Sequence, residues 1–238
     1  MNITVQESRI TNVGAGLQIP LDFQRGEQNP NVNVKFETSH IIGCFVGIDM
    51  YAPGSLYVGK TSTITATAIM ATNSGFIGTG INIQNHFKSI DMIIEDTNIS
   101  GFKNPGSYGI AVINSNNFDA RIETVTINDC GEHGIYINNS KSTTPEVSLI
   151  HTTVTGIANS HGILIIKSPL RELLLHHVKS CNSNTRLYNQ LKDISLDVDE
   201  ITTVITTGSN ICDSASKING DFSFNSDIMS TYCDQGCP

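Results

Sequence analysis

Two groups of acidic and histidine side chains in the middle of the chain have the composition of acid–base sites. Glu95 and Glu123 occupy equivalent places in two successive sequence repeats, and Asp129, Glu132 and His133 form the second group. Glycoside hydrolysis uses two carboxyl groups, about 5–5.5 Å apart for retention or about 6.5–9.5 Å apart for inversion. Elimination chemistry on a sugar uses a positioned base and acid. Both groups supply residues of these types.

Further residues near the second group could complete a site. His133 and His161 each precede a repeated glycine directly, so we expect them to stack, with Tyr136 projecting outward nearby. Tyr108 has the same place one repeat earlier, and Lys167 is close to His161 in sequence. We therefore take Tyr108, Tyr136 and Lys167 as candidate substrate-binding residues. The candidate catalytic residues are Glu132, His133, His161, Asp129, Glu95 and Glu123.

Each group also has a structural interpretation. Acidic side chains on a protein surface are usually solvated, and a histidine before a tight glycine turn often hydrogen-bonds the backbone. His176 falls in a column of residues that we expect to point inward, which favours a core histidine with its hydrogen bonds satisfied. We expect no metal site and no cofactor.

The elements that must position these residues are short strands. Runs of Ile, Val and Thr alternate with Gly, Asn, Ser and Pro, and helical periodicity is nearly absent. One template recurs from Val5 to about Ile165, with apolar or small residues at i, i+3, i+5 and i+8, followed by Gly-apolar-x-apolar. The fifth copy is Ile122, Val125, Ile127 and Cys130, followed by Gly134-Ile135-Tyr136-Ile137.

The spacing of the template copies predicts stacked coils. The third template positions Ile10, Ile41, Ile69, Ile99 and Ile127 lie 31, 28, 30 and 28 residues apart. Fixed turns with loops of variable length are typical of a β-helix, in which Ile99 and Ile127 become vertical neighbours. Parallel strands joined by crossovers are almost always right-handed. We expect the glycine of each copy to allow a tight bend or a positive φ.

The sequence therefore predicts an all-β chain that folds as a right-handed, single-stranded parallel β-helix of about 7–8 coils. In this prediction residues 1–190 form the parallel β-helix, and residues 191–238 form the last coil or coils and an irregular C-terminal cap. The seventh template copy is partial, and we place Leu173, His176, Val178 and Cys181 in it.

Composition excludes several classes of protein. The 238 residues carry 14 Lys and Arg against 22 Asp and Glu, a net charge of −8, which argues against nucleic-acid binding. No apolar run approaches the roughly 20 residues that span a bilayer, so we expect no membrane insertion. No signal peptide is visible at the N-terminus. Six cysteines are too few for a disulfide scaffold.

The repeats resemble those of the pectin-lyase-like parallel β-helix superfamily. The segments that carry the resemblance are Gly109-Ile110-Ala111-Val112-Ile113-Asn114 and Gly134-Ile135-Tyr136-Ile137-Asn138-Asn139, and the resemblance covers about residues 5–190. Within that superfamily the chain looks most like a bacteriophage tailspike or tail-fibre domain. This resemblance implies a virion or extracellular location and recognition of bacterial surface polysaccharide. It also implies a homotrimer or attachment to other virion subunits.

Function stays open at this stage because one fold hosts many activities. Polygalacturonase motifs are matched here only by Glu132-His133-Gly134 and Ile166-Lys167, and no adjacent Asp pair is present. The sequence leaves open whether the chain degrades the polysaccharide, by hydrolase or lyase chemistry. Two alternatives remain: a purely structural β-helix shaft or virion component, and a cellular polysaccharide lyase or glycoside hydrolase.

Overall fold

All regular structure in the described part of the chain is β-strand. The computed structural model describes residues 2–12, 14–20, 32–51, 59–65, 68–71, 77–84, 90–113, 118–138, 146–158, 162–166 and 172–181, and strands at 194–197, 202–207, 210–211, 218–219 and 222–225. These residues include no helix with the length and hydropathy needed to cross a membrane.

The strands are short, and we number them along the chain. They are β1 (Asn2–Gln6), β2 (Arg9–Thr11), β3 (Ala15–Pro20), β4 (Val32–Glu37), β5 (His40–Cys44), β6 (Val46–Tyr51), β7 (Gly59–Thr65), β8 (Ala68–Ala71), β9 (Thr79–Gln84), β10 (Ile90–Glu95), β11 (Asn98–Ser100), β12 (Tyr108–Ile113), β13 (Phe118–Glu123), β14 (Thr126–Asn128), β15 (His133–Asn138), β16 (Glu146–Ile150), β17 (Thr153–Thr155), β18 (Ile163–Ile166), β19 (Glu172–His176), β20 (Lys179–Cys181), β21 (Ile194–Asp197), β22 (Thr202–Thr207), β23 (Asn210–Ile211), β24 (Ile218–Asn219) and β25 (Phe222–Asn225).

Every third strand belongs to the same sheet, and all paired strands are parallel. The first sheet contains β1, β4, β7, β10, β13, β16, β19, β22 and β25 in that order. The second runs from β2 through β5, β8, β11, β14, β17 and β20 to β23, and the third runs from β3 through β6, β9, β12, β15, β18 and β21 to β24. This is a parallel β-solenoid, and it is consistent with a pectin-lyase-like fold. The all-β, stacked parallel architecture predicted from the repeat is confirmed.

The template residues form vertical columns in the interior. Ile99 pairs with Ile127 between β11 and β14, and Ile110 pairs with Ile135 between β12 and β15. All four side chains are at most 1% exposed. Because side chains alternate across a strand, the residues between them face outward, so the sequence pattern fixes which side chains line the surface.

The repeated glycine has a different role from the one predicted. Gly109 and Gly134 are not among the residues with positive φ. A Cβ atom on Gly109 would lie 2.5 Å from Cγ2 of Ile127 and 2.6 Å from the carbonyl oxygen of Gly134. Gly16, Gly47 and Gly80 meet the equivalent atoms of the next coil. The column is therefore glycine because successive coils approach too closely for a side chain.

Positive φ values occur instead at two other columns of turns. The turn between the first and second sheets carries them at Glu7, Thr38, Asp96, Thr124, His151 and His177. The turn after the second sheet carries them at Asn12, Gly43, Gly101, Asp129 and Gly156. Left-handed backbone costs roughly 1–2 kcal/mol for most residues, and Gly, Asn and Asp tolerate it best, as the second column shows.

Buried hydroxyl groups support the first of these turns. The side chains of Ser39, Thr97 and Thr152 are at most 2% exposed. Each donates a hydrogen bond to the carbonyl oxygen two residues earlier, at 2.7, 2.7 and 3.2 Å respectively. The hydroxyl groups of this inward Ser/Thr column are therefore hydrogen-bonded to carbonyl groups at the adjoining turn.

The seventh coil lies two residues out of the predicted register. Leu175, not Leu173, pairs with Leu149, and Val178 is fully buried. The prediction of His176 as an interior residue is wrong, because His176 pairs with Ile150 and is half-buried on the outer face. Cys181 pairs with Thr155 and so does not join the column of Cys130.

The three sheets continue beyond residue 190. β21 pairs with β18 and β22 pairs with β19, and β25 extends the first sheet to Asn225. The sequence places the irregular cap within residues 191–238, a range in which β21 to β25 are strands and residues 226–238 lie outside the described residues.

Candidate functional site

Three aromatic side chains of the third sheet lie against one another, and we call them the aromatic cluster: Tyr108 and Tyr136, which are half-buried, and His133, which is 5% exposed. The ring centroids are 5.7 Å apart for Tyr108 and His133, 5.3 Å for Tyr108 and Tyr136, and 5.2 Å for His133 and Tyr136. The ring planes lie within 24° of each other. Three near-parallel rings at nearly equal distances make a compact platform, whose exposed area comes from the two tyrosines.

The repeat places these rings together. Tyr108 and His133 each precede the glycine of their coil and are direct partners across β12 and β15. Tyr136 follows His133 by three residues and pairs with Ala111. Ala111 is only 1% exposed although its neighbours Ile110 and Val112 point inward. We infer that the tyrosine rings cover this small side chain.

Polar groups border the cluster. The hydroxyl oxygen of Tyr136 accepts a hydrogen bond of 2.8 Å from Nδ2 of Asn138, and a phenol that accepts one bond can still donate its own proton. Burial, followed by the negative charges of Glu132 and Tyr136, raises the pKa of the Tyr108 phenol above its usual value of 10.0. Tyr108 is therefore protonated at neutral pH and suits a hydrogen-bond donor better than a base.

Glu132 directly precedes His133 and contacts a turn of the neighbouring coil. The amide of Ser107 donates to the carbonyl of Asn104 at 3.0 Å, and Gly106 has a φ of +80°. With Pro105 second in this turn, the geometry is that of a type II β-turn. The amide of Gly106 donates to Oε2 of Glu132 at 3.3 Å. The Glu132 carboxylate thus both fastens this turn and supplies negative charge beside the rings.

Asp129 has a structural position. Its φ is +56°, and its carboxylate lies 3.6 Å from Nζ of Lys103 in a largely exposed ion pair. Its amide donates to the carbonyl of Thr155 at 3.1 Å. These contacts are those of a turn residue that links two coils.

Glu95 and Glu123 lie on the first sheet, whereas the aromatic cluster lies on the third. They are direct partners across β10 and β13, as the sequence predicts. Nε and a terminal nitrogen of Arg121 both donate to Oε2 of Glu123. An arginine that already neutralises one carboxylate leaves this pair poorly suited to proton transfer. The two candidate groups are therefore separate on the surface.

His161 and Lys167 lie outside the described residues, so the predicted His133–His161 stack and the position of Lys167 stay predictions. A second cluster of rings was missed by sequence reasoning. His151, His176 and His177 have centroids 4.3 to 5.3 Å apart at the corner between the first and second sheets. In the correct register, the template places His151 and His177 at equivalent positions of successive coils. The two-residue register error in the seventh coil hid this equivalence.

Two thiols in the described part of the chain are buried and form no disulfide. Cys44 and Cys130 are free cysteines with no exposed surface, which suits the small interior side chains that the template predicts. Within the described segments, no three histidine, cysteine or acidic side chains are arranged to hold a metal ion.

Comparison with known proteins gives no assignment: no family model, curated protein or solved structure matches this chain.

Proposed function

We propose that this chain is a tailspike-like parallel β-helix that recognises bacterial surface polysaccharide. The observation that carries the proposal is the aromatic cluster of Tyr108, His133 and Tyr136, with ring centroids 5.2 to 5.7 Å apart on the third sheet. Aromatic rings offer flat apolar area at low entropic cost, and a phenol adds a hydrogen bond at its edge. The two half-buried tyrosines supply this area, and the buried His133 ring packs against both.

The proposal includes the assembly and location that the sequence resemblance implies. The protein would act on the virion or outside the cell, as a homotrimer or attached to other virion subunits. A stack of coils suits this role because loops can vary on a constant scaffold.

Recognition is better supported than cleavage. Hydrolysis uses two carboxyl groups about 5–9.5 Å apart, and Glu132 is the carboxylate beside the rings. The nearest other carboxylate in sequence, Asp129, faces Lys103 and the next turn. A phenol whose pKa is raised, as at Tyr108, is also a poor base for elimination.

The experiment is a binding screen of the purified chain against capsular polysaccharides and lipopolysaccharides, with reducing ends and unsaturated uronate followed in parallel. Tyr136→Ala and Tyr108→Ala should each weaken binding at least about tenfold, an effect of the size that base–aromatic stacking shows per ring. Tyr136→Phe is the matched control, because it keeps the ring and should retain most of the affinity.

Binding that both alanine variants leave intact would contradict the assignment of the site. Absence of binding to any glycan would favour the purely structural shaft. Cleavage that Glu132→Gln abolishes would add a catalytic role, and cleavage that survives Glu132→Gln, His133→Ala and Glu95→Gln would exclude all three as catalytic residues.

A further inference from the structure

We propose that the glycan held by the aromatic cluster is uncharged, made of neutral or N-acetylated sugars, with no carboxylate, sulfate or phosphate against the rings. This inference rests on the proposed function and specifies the class of its ligand.

The first support is the carboxylate beside the platform. Glu132 adjoins His133 in sequence, and its Oε2 is held by the amide of Gly106 at 3.3 Å. Its charge is felt at the Tyr108 phenol, whose pKa it helps to raise. A glycan that covers these rings therefore meets a fixed negative charge at the edge of the platform.

The second support is the state of the cations in the described segments 90–113, 118–138 and 146–158, which are Lys103 and Arg121. Lys103 precedes the turn that holds Glu132, and its Nζ lies 3.6 Å from the Asp129 carboxylate. Arg121 lies on the first sheet, away from the rings, and pairs with Glu123. Neither cation is therefore placed to neutralise an anionic ligand at the rings.

The cost to an acidic ligand follows from Coulomb's law. A ligand carboxylate about 5 Å from Glu132 would be repelled enough to weaken binding by about fourfold in water, and by about three-hundredfold at the effective dielectric of a protein surface. A neutral sugar pays no such cost. It can place its C–H face on the rings and its hydroxyls against the Tyr136 phenol and the Asn138 amide.

The test compares two sets of polymers at pH 8, where ordinary imidazoles are uncharged. The neutral set contains O-antigens and capsules made of hexoses, deoxyhexoses and N-acetylhexosamines, and the acidic set contains uronate-, sialate- and phosphate-bearing polymers. A neutral polymer should bind, and its Kd should change by less than about twofold between about 20 and 300 mM salt. Acidic polymers should bind at least about tenfold more weakly.

A charge variant locates the effect. Glu132→Gln keeps an oxygen that can accept the Gly106 amide, so it should fold, which circular dichroism checks. It should strengthen binding of acidic polymers by about fivefold or more and leave neutral binding within about threefold. Glu37→Gln is the matched control on the first sheet, where Glu37 pairs with Lys35, and should change neither.

The two proposals fail in different ways. Tight binding of an acidic polymer that Tyr136→Ala abolishes would overturn the uncharged ligand and leave glycan recognition standing. Binding of any polymer that Tyr136→Ala leaves intact, or no binding at all, would overturn the proposed site itself.

Discussion

The Oδ1 atom of Asp129 lies 2.7 Å from the point that a Cβ atom on Gly156 would occupy, and the two residues have φ values of +56° and +68°. They are the same turn residue in successive coils. Asn12 and Gly43 repeat the arrangement near the start of the stack, with the Asn12 Oδ1 atom 2.6 Å from the equivalent point on Gly43. Asp129 therefore occupies a turn position that successive coils share, and its candidacy as a catalytic residue stays a prediction.

Asp129→Gly should fold with a stability within about 0.5 kcal/mol of the parent, because glycine tolerates left-handed backbone. Asp129→Val should lower the free energy of unfolding by about 2 kcal/mol, since a β-branched residue is strained there. Chemical denaturation measures both. Equal decreases in the free energy of unfolding would show that left-handed backbone does not restrict the residue type at this position. Loss of glycan cleavage in a stable Asp129→Gly protein would indicate a catalytic role for Asp129.

Gly134→Ala should destabilise the chain by about 3 kcal/mol, the upper part of the range for overpacking. The added Cβ would lie 2.2 Å from Cγ1 of Val154 and 2.7 Å from the carbonyl oxygen of Gly162, and backbone cannot move aside cheaply. Gly14→Ala is the control, because a Cβ there meets nothing within 4 Å. Similar denaturation midpoints for the two variants would refute the close-approach explanation of the glycine column.

Arg121 should screen the repulsion between Glu95 and Glu123, which are cross-strand neighbours. We expect Arg121→Gln to cost about 0.5 kcal/mol more in the parent than in a Glu95→Gln background, the usual size of a cross-strand charge effect. A double-mutant cycle at low ionic strength measures this coupling, which should shrink at about 0.5 M salt. A coupling indistinguishable from zero would mean that Arg121 does not screen Glu95 from Glu123.

The buried thiols should make the fold sensitive to alkali. Burial raises the pKa of Cys44 from 9.0 to about 11 and that of Cys130 from 9.0 to about 12. Their stabilising contribution is fully present below pH 9, where both thiols are neutral in either state. It is lost as the pH rises from 9 through 11 to 12, by at most about 1.4 kcal/mol per pH unit for each thiol.

Cys130→Val should remove the part of the stability loss at alkaline pH that ionisation of the Cys130 thiol causes. Free energies of unfolding measured between pH 8 and pH 11 check this. Thiol titration of the folded protein at pH 8 provides an independent check. Neither Cys44→Ala nor Cys130→Val should change the number of fast-reacting thiols, and a decrease in that number would show that the substituted thiol is accessible.

The interior columns could be predicted from the sequence because their cause is local. Inward positions at i, i+3 and i+5 follow from side-chain alternation on either side of a short turn, and the pairing of Ile99 with Ile127 depends on little else. The register of the seventh coil could not be predicted in this way. Leu173, Leu174 and Leu175 are consecutive, so hydrophobicity alone fits more than one register, and the position of His176 followed the wrong one.

The candidate site could be predicted in part for the same reason. Tyr108 and His133 share a template position, so their juxtaposition follows from stacking. The contact between Glu132 and the Gly106 amide depends on the conformation of a loop outside the template, which periodicity does not describe. The role of the repeated glycine likewise depends on the distance between coils, which is a property of the assembled stack and not of any one segment.

The parallel strand pairing within each of the three sheets also determines how the protein could change in length. Each strand between the two ends of its sheet is hydrogen-bonded to one strand in the coil above and one in the coil below, so the inner coils present the same two surfaces to their neighbours. Whole coils could be duplicated or excised with little redesign of the remainder. The aromatic cluster, built from two successive coils, would survive any such change that neither removes one of these coils nor inserts another between them.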